Sequence, residues 1–112
     1  MKALTGKAKE AFKAYIKKEN GWTSEDFKNH YKCQGYDKYT LADIISWLDS
    51  VSLIIEIGIG RSEDLIGFDI CIWEDRFKTF QLDATIYPTR QQATEKAIER
   101  AVELFNERSE KG

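Results

Sequence analysis

The stretch SLIIEIGIG, residues 52–60, decides the fold of this chain. Every second residue from position 53 to position 59 is a large aliphatic one, and Glu56 and Gly58 lie between them. Successive side chains of a β-strand point to opposite faces, and β-branched residues are enriched in strands. The alternation therefore predicts a strand with one apolar face, which meets a core, and one mixed face, which does not.

Two more alternating stretches follow the first. They are LIGFDICIWE, residues 65–74, and FKTFQLDATIY, residues 77–87. The connections, residues 60–64 and 74–76, are short and polar, which predicts an antiparallel meander of three strands. The side chains expected to share the core side with Leu53, Ile55, Ile57 and Ile59 are Phe68, Ile70, Ile72, Phe80, Leu82, Ala84 and Ile86.

Four helices flank the strands. Helical spacing of apolar residues predicts them over residues 4–19, 22–32, 41–50 and about 90–107. Thr23, Thr40 and Thr89 each stand at a predicted N-cap, with Asp or Gln three residues later as in a capping box. Because one sheet face is polar, helices are expected on the other face only. The sequence therefore predicts a single domain, residues 1–112, of α+β class, with two layers, a three-stranded antiparallel meander and the order α-α-α-β-β-β-α.

Composition narrows the class of protein. The chain has 112 residues, of which 42 % are hydrophobic and 32 % charged, as in ordinary globular domains. No apolar run approaches the roughly 18 residues of a membrane span, and the N-terminus lacks the apolar segment of a signal peptide. Two cysteines, Cys33 and Cys71, are too few for a disulfide-stapled secreted domain. We therefore expect free thiols, a cytoplasmic location and no membrane association.

Charge is distributed unevenly along the chain. The net charge is −2, but residues 1–40 carry +4, residues 41–88 carry −6 and residues 89–112 carry 0. This distribution predicts a basic end and an acidic end. Nucleic-acid-binding domains are usually strongly basic, so nucleic acid is not the expected partner.

Two segments carry a pattern that is known from other proteins. The pattern is a helix that ends in Asp-Ser-Val, an alternating strand, and a terminal helix that opens with Tyr-x-Thr-Arg-x-x-Ala. The positions that match it here are Asp49, Ser50, Val51, Tyr87, Thr89, Arg90 and Ala93. In this the chain resembles small uncharacterised proteins of gut bacteria and their phages, over about the C-terminal two-thirds of its length. The resemblance implies a phage or mobile-element setting and no known activity.

The order helix, three-stranded meander, helix is similar to that of double-stranded-RNA-binding domains. In that family lysines at the start of the last helix grip phosphates, whereas the segment TRQQAT, residues 89–94, has one cation, Arg90. The first hairpin loop enters a minor groove in that family, and here it contains Glu63 and Asp64, which repel phosphate. Under this alternative the candidate nucleic-acid contacts are Lys9 and Lys13, on the lysine-rich first helix, and Arg90.

Few side chains suggest catalysis or metal binding. His30 and Cys33 have the spacing of metal ligands, but a structural zinc site usually needs four ligands. The same two residues could form a Cys–His catalytic pair, which further needs a group that orients the base. We therefore expect no catalytic residue, no cofactor, no bound metal and no enzymatic activity.

The second face of the sheet is the candidate partner-binding face. Strand alternation places on it Ile54, Glu56, Asp69, Trp73, Asp83 and Tyr87. Its three carboxylates have the chemistry to hold a divalent cation, to act as an acid–base pair, or simply to keep the face hydrated. Aromatic residues among polar groups are typical of protein interfaces.

These features predict a non-enzymatic accessory or protein-interaction protein of phage or mobile-element type. Its partner is expected to be an unknown, basic protein, because the candidate face is acidic. Three carboxylates set against three more across a two-fold axis repel each other, so we expect a monomer or at most a weak dimer. The alternative is a nucleic-acid-binding module of double-stranded-RNA-binding-domain-like topology.

Overall fold

The computed structural model describes residues 4–32, 41–74 and 79–111, with the backbone alone for residues 31, 32, 62, 79–84, 110 and 111. Its elements, in chain order, are α1 (Gly6–Asn20), α2 (Ser24–Lys32), α3 (Leu41–Ser50), β1 (Leu53–Ser62), β2 (Leu65–Glu74), β3 (Thr79–Tyr87) and α4 (Arg90–Lys111). The predicted α+β class and the order α-α-α-β-β-β-α are confirmed. In the described part of the chain, no helix is long and apolar enough to cross a membrane.

The three strands form one antiparallel sheet in the order β1-β2-β3. The ladder between β1 and β2 is regular from the Leu53–Glu74 pair to the Ser62–Leu65 pair, and Glu63 and Asp64 make the turn. The ladder between β2 and β3 shifts register between Phe68 and Ile70. The predicted meander is therefore confirmed, with an irregularity in its second ladder.

The register of β3 corrects the predicted faces of this strand. Tyr87, predicted on the second face, pairs with Phe68 and packs against Ile70 and the α4 alanines, on the helix side. Ile86, predicted on the helix side, lies over Gly60 and Gly67 on the second face. The two glycines make this possible, since a Cβ added at Gly67 would lie 2.7 Å from Cγ2 of Ile86.

The same register changes the expected place of Asp83. Its backbone lies opposite Ile70, a buried residue of the helix side, whereas it was expected beside Glu56 and Asp69. Leu82 lies opposite Cys71 in the ladder, and was expected on the helix side. The side chains of Phe80, Leu82, Ala84 and Asp83 lie outside the described part of the chain.

The main core lies between the helices and one face of the sheet. Trp47 of α3 is its largest buried side chain, with ring centroids 6.1 Å from Phe12 of α1 and 5.0 Å from Phe105 of α4. The cluster also includes Leu53 and Ile72 from the sheet. A second, smaller cluster joins Ile70 to α4 through the fully buried residues Ala93 and Ala97. Small side chains at these positions let the helix approach the strands closely.

Local signals fix several helix ends. The predicted capping box of α2 is confirmed, because the amide of Asp26 donates to Thr23 Oγ1 at 3.1 Å and the amide of Thr23 donates to Asp26 Oδ2 at 2.9 Å. Gly21 ends α1 with a positive φ of 65°, a conformation that favours glycine. The predicted box at Thr40 lies outside the described residues.

Thr89 caps α4, and its loss should have a measurable cost. The amide of Gln92 donates to Thr89 Oγ1 at 3.1 Å. We expect Thr89→Ala to lower the free energy of unfolding by about 1 kcal/mol, because it leaves a helix N-terminal amide without this acceptor. Thr94→Ala is the matched control, since the Thr94 hydroxyl donates only to the Arg90 carbonyl within the helix. Urea denaturation of both variants checks the prediction, and equal losses would contradict it.

Candidate functional site

The helix layer stops short of one end of the sheet. Helix α4 begins at Arg90, whose guanidinium carbon lies 5.0 Å from the ring centroid of Phe68. Beyond Phe68 the β1–β2 hairpin continues to Leu65, a further three residues, or about 10 Å of strand. We call this overhanging part of the hairpin, residues 59–66, the hairpin arm.

Three large aliphatic side chains of the hairpin arm are exposed to solvent. The exposed fraction is 73 % for Ile59, 64 % for Leu65 and 70 % for Ile66. Sequence reasoning predicted Ile59 in the core and did not single out Leu65 and Ile66. No signal in the sequence separates Ile59 and Ile66 from buried neighbours, because they continue the apolar alternation of their strands. Their exposure follows from where α4 begins over the sheet.

The tip of the hairpin arm is charged. Arg61, Glu63 and Asp64 are all exposed there. Glu63 adopts a positive φ of 45° in the two-residue turn. The ion pairs found within the described part of the chain all lie on α4, so none of them involves this tip. The arm therefore combines exposed aliphatic groups with carboxylates that are available to another molecule.

The second face of the sheet adjoins the hairpin arm. We call it the outer face and define it by Ile54, Glu56, Asp69, Cys71 and Trp73. In the register Ile54 pairs with Trp73 and Glu56 with Cys71. Glu56 is exposed, whereas Ile54, Asp69 and Trp73 are half-buried. None of the five belongs to either buried cluster of the described residues.

A glycine positions the carboxylate of Asp69 on the outer face. A Cβ added at Gly58 would lie 2.7 Å from Asp69 Oδ1, so this carboxylate occupies the space that a side chain at position 58 would fill. Asp69 thereby reaches from β2 across to β1. The two outer-face carboxylates flank Cys71, one on each strand.

The structure brings together four of the six residues predicted for the partner-binding face. These are Ile54, Glu56, Asp69 and Trp73. Tyr87 belongs to the helix side, as described above, because odd-numbered residues of β3 lie opposite even-numbered residues of β2 on both sides of the register shift, and Phe68 and Ile70 face the helices. The side chain of Asp83 lies outside the described part of the chain.

Cys71 is a buried thiol on the outer face, with 8 % exposure. Burial raises the pKa of this thiol, and the negative charges of Glu56 and Asp69 raise it further. A raised pKa lowers the thiolate fraction at neutral pH, and the thiolate is the nucleophile. Cys71 is thus positioned as an unreactive thiol.

We expect slow alkylation of native Cys71 by iodoacetamide. In a Cys33→Ser background, the alkylation rate near neutral pH should be lower in the native protein than in denaturant, because burial and the adjacent carboxylates raise the pKa of the thiol and burial also restricts access to it. Glu56→Gln should increase the native rate by removing the adjacent charge. Glu103→Gln, on the exposed side of α4, is the control, and an equal increase in both variants would refute the electrostatic explanation.

The candidate nucleic-acid contacts lie on two different elements. Lys9 and Lys13 are on α1, and Lys13 lines a groove between α1 and α2. Arg90 is at the start of α4, where its guanidinium stacks on Phe68. The predicted contacts therefore come from two helices, and their role in nucleic-acid binding stays a prediction.

Cys33, which has metal-ligand spacing from His30, lies outside the described residues. The His30 ring lies 4.8 Å from the Trp22 ring, centroid to centroid, at a tilt of 43°. Among residues 4–32, 41–74 and 79–111, no group of three or more His, Cys, Asp and Glu side chains is arranged to hold a metal ion.

Comparison with protein-family models, with curated proteins and with solved structures finds no match to this chain.

Proposed function

We propose that this chain is a non-enzymatic protein-interaction module that binds a basic protein partner through the hairpin arm and the outer face. The proposed location is the cytoplasm. The Asp49-Ser50-Val51 and Thr89-Arg90 segments resemble those of small proteins of gut bacteria and their phages, so the proposed setting is that of an accessory protein of a phage or mobile element.

The observation that carries the proposal is the exposure of Ile59, Leu65 and Ile66 on one hairpin. Burying a side chain of this size contributes about 1.5–3 kcal/mol. In the isolated chain these three side chains contribute little burial free energy, because each is more than 60 % exposed. A partner that covers the arm gains this free energy. Ile59 and Ile66 are diagonal neighbours on the helix side of the arm, whereas Leu65 lies on the opposite side of the hairpin by strand alternation. Exposed apolar side chains grouped on one protruding hairpin are typical of contact sites.

The charges around the arm support a basic partner. The arm and the outer face together present four carboxylates, Glu56, Glu63, Asp64 and Asp69, against one cation, Arg61. Complementary charge steers association and excludes partners of the same sign. The same carboxylates disfavour a polyphosphate backbone, and they oppose each other if two outer faces meet.

Site-specific photo-crosslinking in cells of the native host tests the proposal. A photoreactive phenylalanine analogue replaces Ile66 on the arm, Glu56 on the outer face or, as a control, the exposed Glu103 on α4. We expect one discrete protein adduct from the first two positions and none from Glu103. Mass spectrometry then identifies the adduct.

Reconstitution decides whether the captured protein is the partner. With the identified protein purified, Ile59→Asp combined with Ile66→Asp should weaken binding at least about a hundredfold, since roughly 3 kcal/mol of apolar burial is lost. Glu103→Gln should leave the affinity unchanged, and added salt should weaken it. Affinity that is insensitive to the double substitution would refute the proposal.

A further inference from the structure

Helices α1 and α2 enclose a groove of about 270 Å³. Its walls are formed by Glu10, Lys13 and Lys17 from α1 and by Ser24, Phe27 and Lys28 from α2. Residues spaced by three or four share one side of a helix. The lining residues of α1 therefore lie on one side of that helix, and those of α2 lie on one side of theirs. Only residues 21–23 connect the two helices, which keeps these sides together.

The groove is cationic over an apolar base. Phe27 is 3 % exposed, and Lys13 and Lys17 are half-buried, so two of the three ammonium-bearing side chains are partly withdrawn from water. Lys17 Nζ donates to Ser24 Oγ at 3.2 Å. The ion pairs found among the described residues lie on α4, so none neutralises Lys13, Lys17 or Lys28. Glu10 is the single carboxylate of the lining.

From this arrangement we propose that the α1–α2 groove is a binding site for a phosphate group. Three cations and one hydroxyl line a space several times the roughly 30 Å³ that one water molecule occupies in the liquid. A phosphate offers acceptor oxygens in several directions and a charge above one, whereas a carboxylate offers two oxygens and one charge. Lysines bind phosphate as compact point charges. The phosphate belongs either to a small phosphorylated molecule or to a nucleic-acid backbone.

The proposed phosphate site does not depend on the N-terminal amides of α2. Thr23 and Asp26 occupy that helix end with their capping box, and Glu25 adds a second acidic group to the first turn. The attraction therefore comes from the lysines, which outnumber Glu10 three to one in the groove. This site is separate from the hairpin arm and the outer face, so its test is independent of the proposed protein partner.

Titration with inorganic pyrophosphate, followed by NMR, tests the site. We expect saturable shifts of the amides of Ser24, Phe27 and Lys28. Lys13→Gln and Lys28→Gln should each raise the pyrophosphate Kd about tenfold, the loss of one charge-assisted hydrogen bond. Lys9→Gln is the matched control, because Lys9 is on the same helix but does not line the groove. Its Kd should change less than about twofold. Thermal unfolding confirms that each variant is folded.

A short RNA duplex distinguishes the two sources of phosphate. If the duplex displaces pyrophosphate and loses affinity in Lys13→Gln, the groove takes a nucleic-acid backbone. If pyrophosphate binds and the duplex does not displace it, the groove takes a small phosphorylated ligand. Shifts that do not saturate, or an effect of Lys9→Gln equal to that of Lys13→Gln, would show diffuse attraction to a basic surface and overturn the proposal.

Discussion

Replacing Trp47 with alanine is expected to lower the free energy of unfolding by about 3–5 kcal/mol. Trp47 is 1 % exposed, and its ring contacts Phe12 and Phe105 at centroid distances of 6.1 and 5.0 Å. It therefore joins three helices, α1, α3 and α4, at one point. Domains of this size are stable by only about 5–15 kcal/mol, so the variant should lose a large part of its stability.

Trp73→Ala is the matched control for this prediction. Trp73 is the same residue type, but it is half-buried on the outer face and outside both buried clusters. Urea denaturation should therefore show a clearly smaller loss for Trp73→Ala than for Trp47→Ala. Equal losses would mean that the outer face is part of the folding core, which would contradict its assignment as a surface for a partner.

The second large effect is expected at Ile72. Ile72 is 1 % exposed in the central strand, and its replacement by alanine should cost about 2–5 kcal/mol through lost burial and the cavity left behind. Ile66 is on the same strand and is 70 % exposed. Ile66→Ala should cost at most about 1 kcal/mol, the span of strand propensity.

Equilibrium unfolding of the two isoleucine variants measures this difference. The substitution, the strand and the face of the strand are the same, so the difference reports how far the neighbouring elements, the helix layer and β3, cover each position. If Ile66→Ala is as destabilising as Ile72→Ala, the hairpin arm is covered in solution. Its aliphatic side chains would then stabilise the fold itself, and they would not form an exposed surface for a partner.

The features predicted correctly from the sequence are those with local causes. The alternation of residues 52–60 fixes β1, and the three-residue spacing of Thr23 and Asp26 fixes the start of α2. The element order follows from such signals, because each depends on neighbours in the chain. On the outer face, Glu56 and Asp69 were also predicted correctly, since the β1–β2 ladder is regular from end to end.

The features missed depend on contacts between distant residues. In β3 the residues with even numbers are apolar, which predicted that Ile86 faces the helices. Ile86 instead fills the space over Gly60 and Gly67, and Tyr87 packs under α4. The hairpin arm was missed because the exposure of Ile59 depends on where α4 begins over the sheet. Neither the register of β3 against β2 nor the length of the overhang is encoded in a local pattern.

Sedimentation equilibrium of the purified chain at micromolar concentration tests most directly whether the exposed surface is kept for a different protein. The carboxylates of the outer face and the arm oppose pairing with a second copy. We therefore predict the mass of one chain, unchanged by Ile66→Asp. A stable dimer that Ile66→Asp dissociates would contradict the account, because the arm would then be covered by a second copy of the chain itself.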